Sequence, residues 1–284
     1  MPVVGAVMVP HPPLILPEVG RGGEREIEQT TAAYRKAAAW LSGLRPDTLV
    51  VVTPHSVMYA DYLHLSPGDG AKGNFGRFGA PAVRFEVAYD AELRDEILAF
   101  AHDRGLPAGT RGERDAALDH GFMVPLYFLR QAAGVPWPCR FLRVGLSGLS
   151  FQDHYRLGQC IGDAAVSLDR RVAVVASGDL SHYLRADGPY GFRAEGPEYD
   201  RKVMDIVGRA AFSELLDLPE GLCAQAGECG QRSLLIMAGA LDGRAVAAEA
   251  LSYQGVTGVG YGVATFLPGE MDPGRAYLRK GEGK

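Results

Sequence analysis

Residues 48–56 read T-L-V-V-V-T-P-H-S. From Thr48 to Thr53 the residues are apolar or β-branched without a polar alternate, the mark of a strand covered on both faces. Pro54 has no N–H to give a ladder, and His55 follows it at once. The same arrangement opens the chain. Val3–Val9 reads V-V-G-A-V-M-V and runs into P-H-P-P with His11. It recurs where the strand predicted at 171–176 runs into A-S-G-D-L-S-H and His182. Segments of helical composition lie between, at 25–44, 91–104, 122–131, 152–168, 201–208 and 231–241. Further strands are predicted at 63–66, 85–87, 140–146, 246–253 and 261–267. Strands alternating with helices predict an α/β fold with a central, mostly parallel or mixed sheet flanked by helices. No break in composition divides the chain, so one domain is expected over 1–268 and a polar, frayed tail over 269–284. The glycine-rich 68–79 is expected to be a flexible surface loop, and 185–200 a mobile one.

Composition narrows the function classes. In 284 residues, 47% are hydrophobic and 22% charged, the balance of an ordinary globular protein. The net charge of −5 argues against a general affinity for nucleic acid or anionic membrane. No run of about 18 uncharged apolar residues predicts a membrane span. The apolar start has no Lys or Arg before its hydrophobic run and contains Pro10, Pro12, Pro13 and Pro17, so it reads as a strand and loop rather than a secretory signal. The four cysteines are scattered with no C-x-x-C pair, which points to a reducing, cytoplasmic setting.

The histidines carry the chemical signal. Ligands of open α/β sheets bind beyond the carboxyl ends of the strands. His11, His55 and His182 each follow a predicted strand, and His120 stands at a predicted helix start in L-D-H-G-F. A single loop histidine is more often solvated than functional; four at such positions favour a shared site. His64, His102 and His154 read as structural or solvated. Imidazoles with one carboxylate form the facial arrangement suited to Fe(II). Glu228 in A-G-E-C-G-Q-R-S is the candidate acid, although an acid before a helix is commonly a partner of the macrodipole. Asp119 and Asp179 are competitors that also read as caps. Cys229 is a rival soft ligand. The run G-D-G-A-K-G-N-F-G matches a phosphate-loop pattern in letters only, since no helix follows it, and no G-x-S-x-G elbow is present.

Together V-P-H-P-P, P-H-S, L-D-H-G-F-M-V-P-L and S-G-D-L-S-H resemble the LigB-type class III extradiol ring-cleavage dioxygenases, a superfamily that includes Memo-like proteins. The run E-C-G-Q-R-S-L-L-I-M-A-G-A-L resembles its AmmeMemoRadiSam-system branch, whose members occur beside a radical-SAM protein. The resemblance covers His11 to about Leu267. It implies Fe(II) held by His11, His55 and Glu228, with His182 as the active-site base and His120 contacting substrate or oxygen. It implies extradiol cleavage of a small aromatic, catechol-type substrate by dioxygen, in a homo-oligomeric oxidoreductase. The E-C-G sequence leaves a second reading open. With Cys229 in place of Glu228 the ion would be copper or zinc, in a Memo-like redox or scaffold protein working with a radical-SAM partner. Metal-assisted hydrolysis is a third reading.

Overall fold

In the computed structural model the described residues are 2–134 and 137–278. Val3–Val9 forms β1, Thr48–Thr53 β2, Leu63–His64 β3, Gly70–Phe75 β4 and Ala80–Ala88 β5. Ala108–Gly109 forms β6, Arg140–Gly145 β7, Val172–Ser177 β8, Arg244–Gln254 β9 and Tyr261–Met271 β10. The helices are α1 (Pro17–Gly20), α2 (Glu28–Gly43), α3 (Ala91–Asp103), α4 (His120–Ala133) and α5 (Phe151–Ser167). They continue with α6 (Glu195–Arg209), α7 (Ser213–Leu216), α8 (Glu220–Ala226) and α9 (Gln231–Ala240).

Six strands make one sheet in the order β7-β2-β8-β1-β10-β9. The first four are parallel; β10 joins β1 antiparallel and pairs with β9, which forms the far edge. The uninterrupted apolar runs follow from this position. Successive side chains point to opposite faces. Val50 and Val52 therefore enter a core with α3, α5, α6 and α9, whereas Leu49 and Val51 enter a second core with α2, α4 and β5. A strand with a core on each side has no polar alternate. The expected α/β architecture, a mostly parallel sheet flanked by helices in a single domain, is the one observed.

Three local expectations are corrected. The 68–79 segment is not a free loop: β4 and β5 form an antiparallel hairpin with Lys72 opposite Glu86, turning through Gly76–Phe78. Exposed glycines and polar residues in β4 carry no hydrophobic alternation, so only pairing with β5 reveals the strand. The 185–200 segment ends inside α6, whose first two turns bury Gly196, Tyr199 and Asp200 beneath a charged outer face. The tail does not begin at 269. Strand β10 continues to Met271, Tyr277 N–H donates to Asp242 at 3.0 Å, and Gln159 Nε2 donates to the Leu278 carbonyl at 2.8 Å. Those partners lie far back in the sequence and leave no local signal. Residues 279–284 of the predicted tail lie outside the described residues.

The parallel strands place their carboxyl ends together. Val9 is level with Ser177, and Thr53 with Gly145. The loops after β1, β2 and β8, and the segments entering α4 and α9, meet above this edge.

Candidate metal centre

His11 is 2% exposed, and its ring Nδ1 lies 3.0 Å from Ser177 Oγ. Ser177 already donates its one hydroxyl hydrogen to the Gly121 carbonyl at 2.6 Å. Ser177 Oγ must then accept from His11 Nδ1–H, so the Nε2 of His11 carries the lone pair. That Nε2 is 2.9 Å from His55 Nε2. Two nitrogens each about 2.1 Å from one ion and at right angles to each other are ~3.0 Å apart. The rings of His55 and His120 have centroids 4.0 Å apart, and His11 and His120 5.4 Å. The ligand atoms of His11, His55 and His120 all lie within 4.8 Å of one another.

A second group shares His11. Its Nε2, an Asp179 carboxylate oxygen and the Cys229 sulfur also lie within 4.8 Å of one another, with Sγ 3.6 Å from Nε2. A nitrogen at about 2.1 Å and a sulfur at about 2.3 Å from one ion, at a tetrahedral angle, are ~3.6 Å apart. Backbone pairing locks this side. His11 N–H donates to Asp179 Oδ1 at 2.8 Å, Asp179 N–H to Cys229 Sγ at 3.2 Å, and Cys229 N–H to the Asp179 carbonyl at 3.2 Å. The two loops approach closely because both contribute glycine: a Cβ on Gly178 would stand 2.2 Å from the Gly230 Cα.

Glu228, expected as the acidic ligand, is in neither group among the described residues. Its Oε2 accepts the Gln231 N–H at 2.6 Å, at the start of α9. Neighbouring residues project in different directions, and here it is Cys229 that turns toward His11 while Glu228 caps the helix. Desolvation raises the Glu228 carboxyl to about 7, against its backbone donors. His182 is half-buried; its N–H donates to the Ala226 carbonyl, its Nδ1 is buried without a hydrogen-bond partner, and its ring meets Tyr190 edge-on at 5.1 Å. His154 is structural: Nδ1 bonds the Ser150 carbonyl at 2.8 Å, and Nε2 accepts from Ser147 N–H at 3.2 Å. His64 is fully buried in β3, and His102 lies on the surface.

The electrostatics favour a cation. Burial, reinforced by His55 and His182, lowers the His11 pKa well below the usual imidazole value. Burial with His55 and His11 lowers His120 to about 3. These rings are neutral and offer lone pairs. Burial first, then the Asp179 and Glu228 charges, pushes the Cys229 thiol up, and burial pushes Asp179 up to about 6. A bound cation reverses both of these directions, because it stabilises thiolate and carboxylate. His11 is therefore shared by two sets of donors, three imidazoles on one side and a carboxylate and a thiol on the other, and each set has the chemistry to hold a transition-metal ion.

Beside the centre opens a cleft of about 1500 Å³, lined by His55, His120, Asp119, Tyr59, Phe78 and Arg143 among others. Phe78, carried by the β4–β5 turn, packs edge-on to His120 at 5.3 Å. Ser177, Phe78 and Arg143 were not among the residues read as functional. Ser177 and Arg143 carried a legible signal, each being a polar residue in an apolar strand.

The chain matches the LigB family, described as the catalytic LigB subunit of aromatic ring-opening dioxygenase, over residues 5–264. Protein CA_C1420 of Clostridium acetobutylicum is 36% identical across 93% of this chain, which spans 57% of that protein. A MEMO1 family protein of Thermococcus onnurineus is 32% identical, over 78% of this chain and 74% of that protein. The crystal structure of an uncharacterized protein, JW3007 of Escherichia coli K12, has the same fold, with a TM-score of 0.59 at 15% identity, over 93% of this chain and 99% of that one.

Proposed function

From the premise that this chain belongs to the LigB family and is consistent with its Memo-like branch, we propose that it is a metal-binding oxidoreductase-type protein whose ion is held by His11, His55 and the Cys229 thiolate, with His120 on the open side. The observation that carries this reading is the Cys229 sulfur 3.6 Å from His11 Nε2, while Glu228 is engaged with Gln231 N–H. Imidazole nitrogen with thiolate sulfur suits copper or zinc, whereas a carboxylate set suits Fe(II). Copper in such a set supplies one-electron chemistry; zinc supplies a Lewis acid.

The chain's own residues divide the work. Ser177 fixes the His11 tautomer so that Nε2 faces the ion. His182, with an unpartnered Nδ1, is placed to accept a proton from a bound molecule. His120 and Phe78 face the cleft from which that molecule enters. A radical-SAM partner belongs to the proposal through the branch resemblance alone.

A second reading, extradiol cleavage of a small aromatic diol on Fe(II), is supported by the cleft and by the His55 and His120 rings that line it, 4.0 Å apart; in this reading His182 is the base and His120 the hydrogen-bond donor through the family resemblance alone. Metal analysis of protein purified without oxygen separates the two. The first reading expects copper or zinc near one per chain, lost by Cys229→Ser and retained by Glu228→Gln. Iron lost by Glu228→Gln but kept by Cys229→Ser, with oxygen uptake on catechols, assigns the second.

A further inference from the structure

Arg143 lies in β7 and is 1% exposed, a full charge inside the sheet. Burying an unpaired guanidinium is costly, so its partners reveal its task. Its Nε donates to Ser66 Oγ at 2.7 Å and its NH1 to the Ala117 carbonyl at 2.7 Å. Its NH2 bonds Glu113, which also accepts from Ser66 Oγ at 2.9 Å. Its NH1 stands 3.6 Å from Asp119 Oδ2, an oxygen with no hydrogen-bond partner. All of these partners except Ser66 belong to the irregular segment that delivers α4.

The start of α4 is the point on which the three histidines depend. Asp119 Oδ1 accepts from Phe122 N–H at 3.0 Å, capping the helix, and from Thr53 Oγ1 at 2.7 Å. Thr53 Oγ1 in turn accepts the His55 N–H at 3.2 Å. The Gly121 carbonyl accepts from Ser177, which orients His11. His120 itself is the first residue of the helix. One helix terminus therefore holds its own imidazole, the loop of the second and the orienting hydroxyl of the third.

We infer that Arg143 is a positioning residue: through Glu113, the Ala117 carbonyl and the charge of Asp119 it clamps the N-terminus of α4 and so sets the spacing of His11, His55 and His120. This rests on the reading of those histidines as one centre. Arg is suited to the task because its planar fork reaches several acceptors in fixed directions, and Lys offers a single point charge. Arg143→Lys therefore keeps the charge and loses the clamp.

The test compares Arg143→Lys with Arg104→Lys, which weakens an ion pair to Asp163 packed between α3 and α5. In metal-free protein, Arg143→Lys is expected to shift the ring-proton resonances of His55 and His120 together and to leave His154 and His102 in place, whereas Arg104→Lys moves none of the site rings. Cobalt(II) titration is expected to show affinity lower by tenfold or more in Arg143→Lys and unchanged in Arg104→Lys, the range seen when a group supporting a ligand is removed. If Arg143→Lys does not fold, Glu113→Gln removes one leg of the clamp and is read in the same way. Unmoved His55 and His120 resonances in the folded variant overturn the inference. Wild-type protein that binds no cobalt, with those resonances still shifted by the variant, counts against the metal reading and leaves the clamp standing.

Discussion

Ser177 illustrates how much a single atom decides. Its hydroxyl has one hydrogen, spent on Gly121, and that leaves its oxygen to fix the tautomer of His11. Ser177→Ala removes the acceptor and frees the ring, so metal affinity is expected to fall about tenfold, measured by competition with a coloured chelator. Glu228 makes the opposite case. It accepts the Gln231 N–H, one of the donors that a helix start leaves over. Glu228→Ala is expected to cost about 1 kcal/mol in denaturant unfolding, the usual scale for a lost helix cap, with metal affinity within twofold of wild type. A large loss of metal with unchanged stability would reverse the roles given to Glu228 and Cys229.

At the scale of elements, the loop from Asp179 to Tyr183 is held by α6 and β9–β10 more than by its own sequence. Leu180 N–H donates to the Gly260 carbonyl and Gly260 N–H to the Ser181 carbonyl, both at 2.8 Å. Asp200 on α6 accepts from Ser181 N–H at 2.8 Å and from Tyr253 Oη–H at 2.7 Å. Gly260 is required there, since a Cβ would stand 2.1 Å from Asp200 Oδ2. Burial raises the Asp200 carboxyl to about 7, despite those two donors. A carboxyl whose folded value lies above its unfolded one stabilises the fold most at low pH. That contribution drains away as pH rises from about 4 through about 7 and is constant above. Asp200→Asn does not titrate. Relative to wild type it is expected to gain stability by about 2–4 kcal/mol between pH 4 and pH 7.5, since each tenfold change in proton affinity is worth ~1.4 kcal/mol. Parallel pH profiles of the two proteins in urea unfolding would refute the assignment.

For the whole molecule, the far edge of the fold is completed by the chain beyond Pro268. Gln159 bonds Leu278, Asp242 bonds Tyr277, and Arg275 bonds the Ala210 carbonyl. Deleting everything after Pro268 is expected to destabilise the protein by at least about 3 kcal/mol, at about 1 kcal/mol for each of these three bonds alone, read as a lower denaturant midpoint. An unchanged midpoint would show that the segment only lies on the surface. The metal centre, at the opposite, carboxyl end of the parallel strands, is expected to keep its affinity in the truncated protein while it remains folded.

Much of this was legible in the residues. Uniform apolar runs can only be central strands, because both faces are buried, and that alone determined the α/β class. A histidine that closely follows such a run stands near the sheet's binding edge, which pointed to His11 and His55 as neighbours, and their Nε2 atoms lie 2.9 Å apart. The His120 position followed from a helix start. Tertiary structure alone decided which of Glu228 and Cys229 faces His11, because two adjacent residues diverge and the direction of each depends on how the Gly178 and Gly230 loops meet. It also decided the β4–β5 hairpin and the clamp of Arg143, since their partners lie far apart along the chain and no local periodicity records a long-range hydrogen bond.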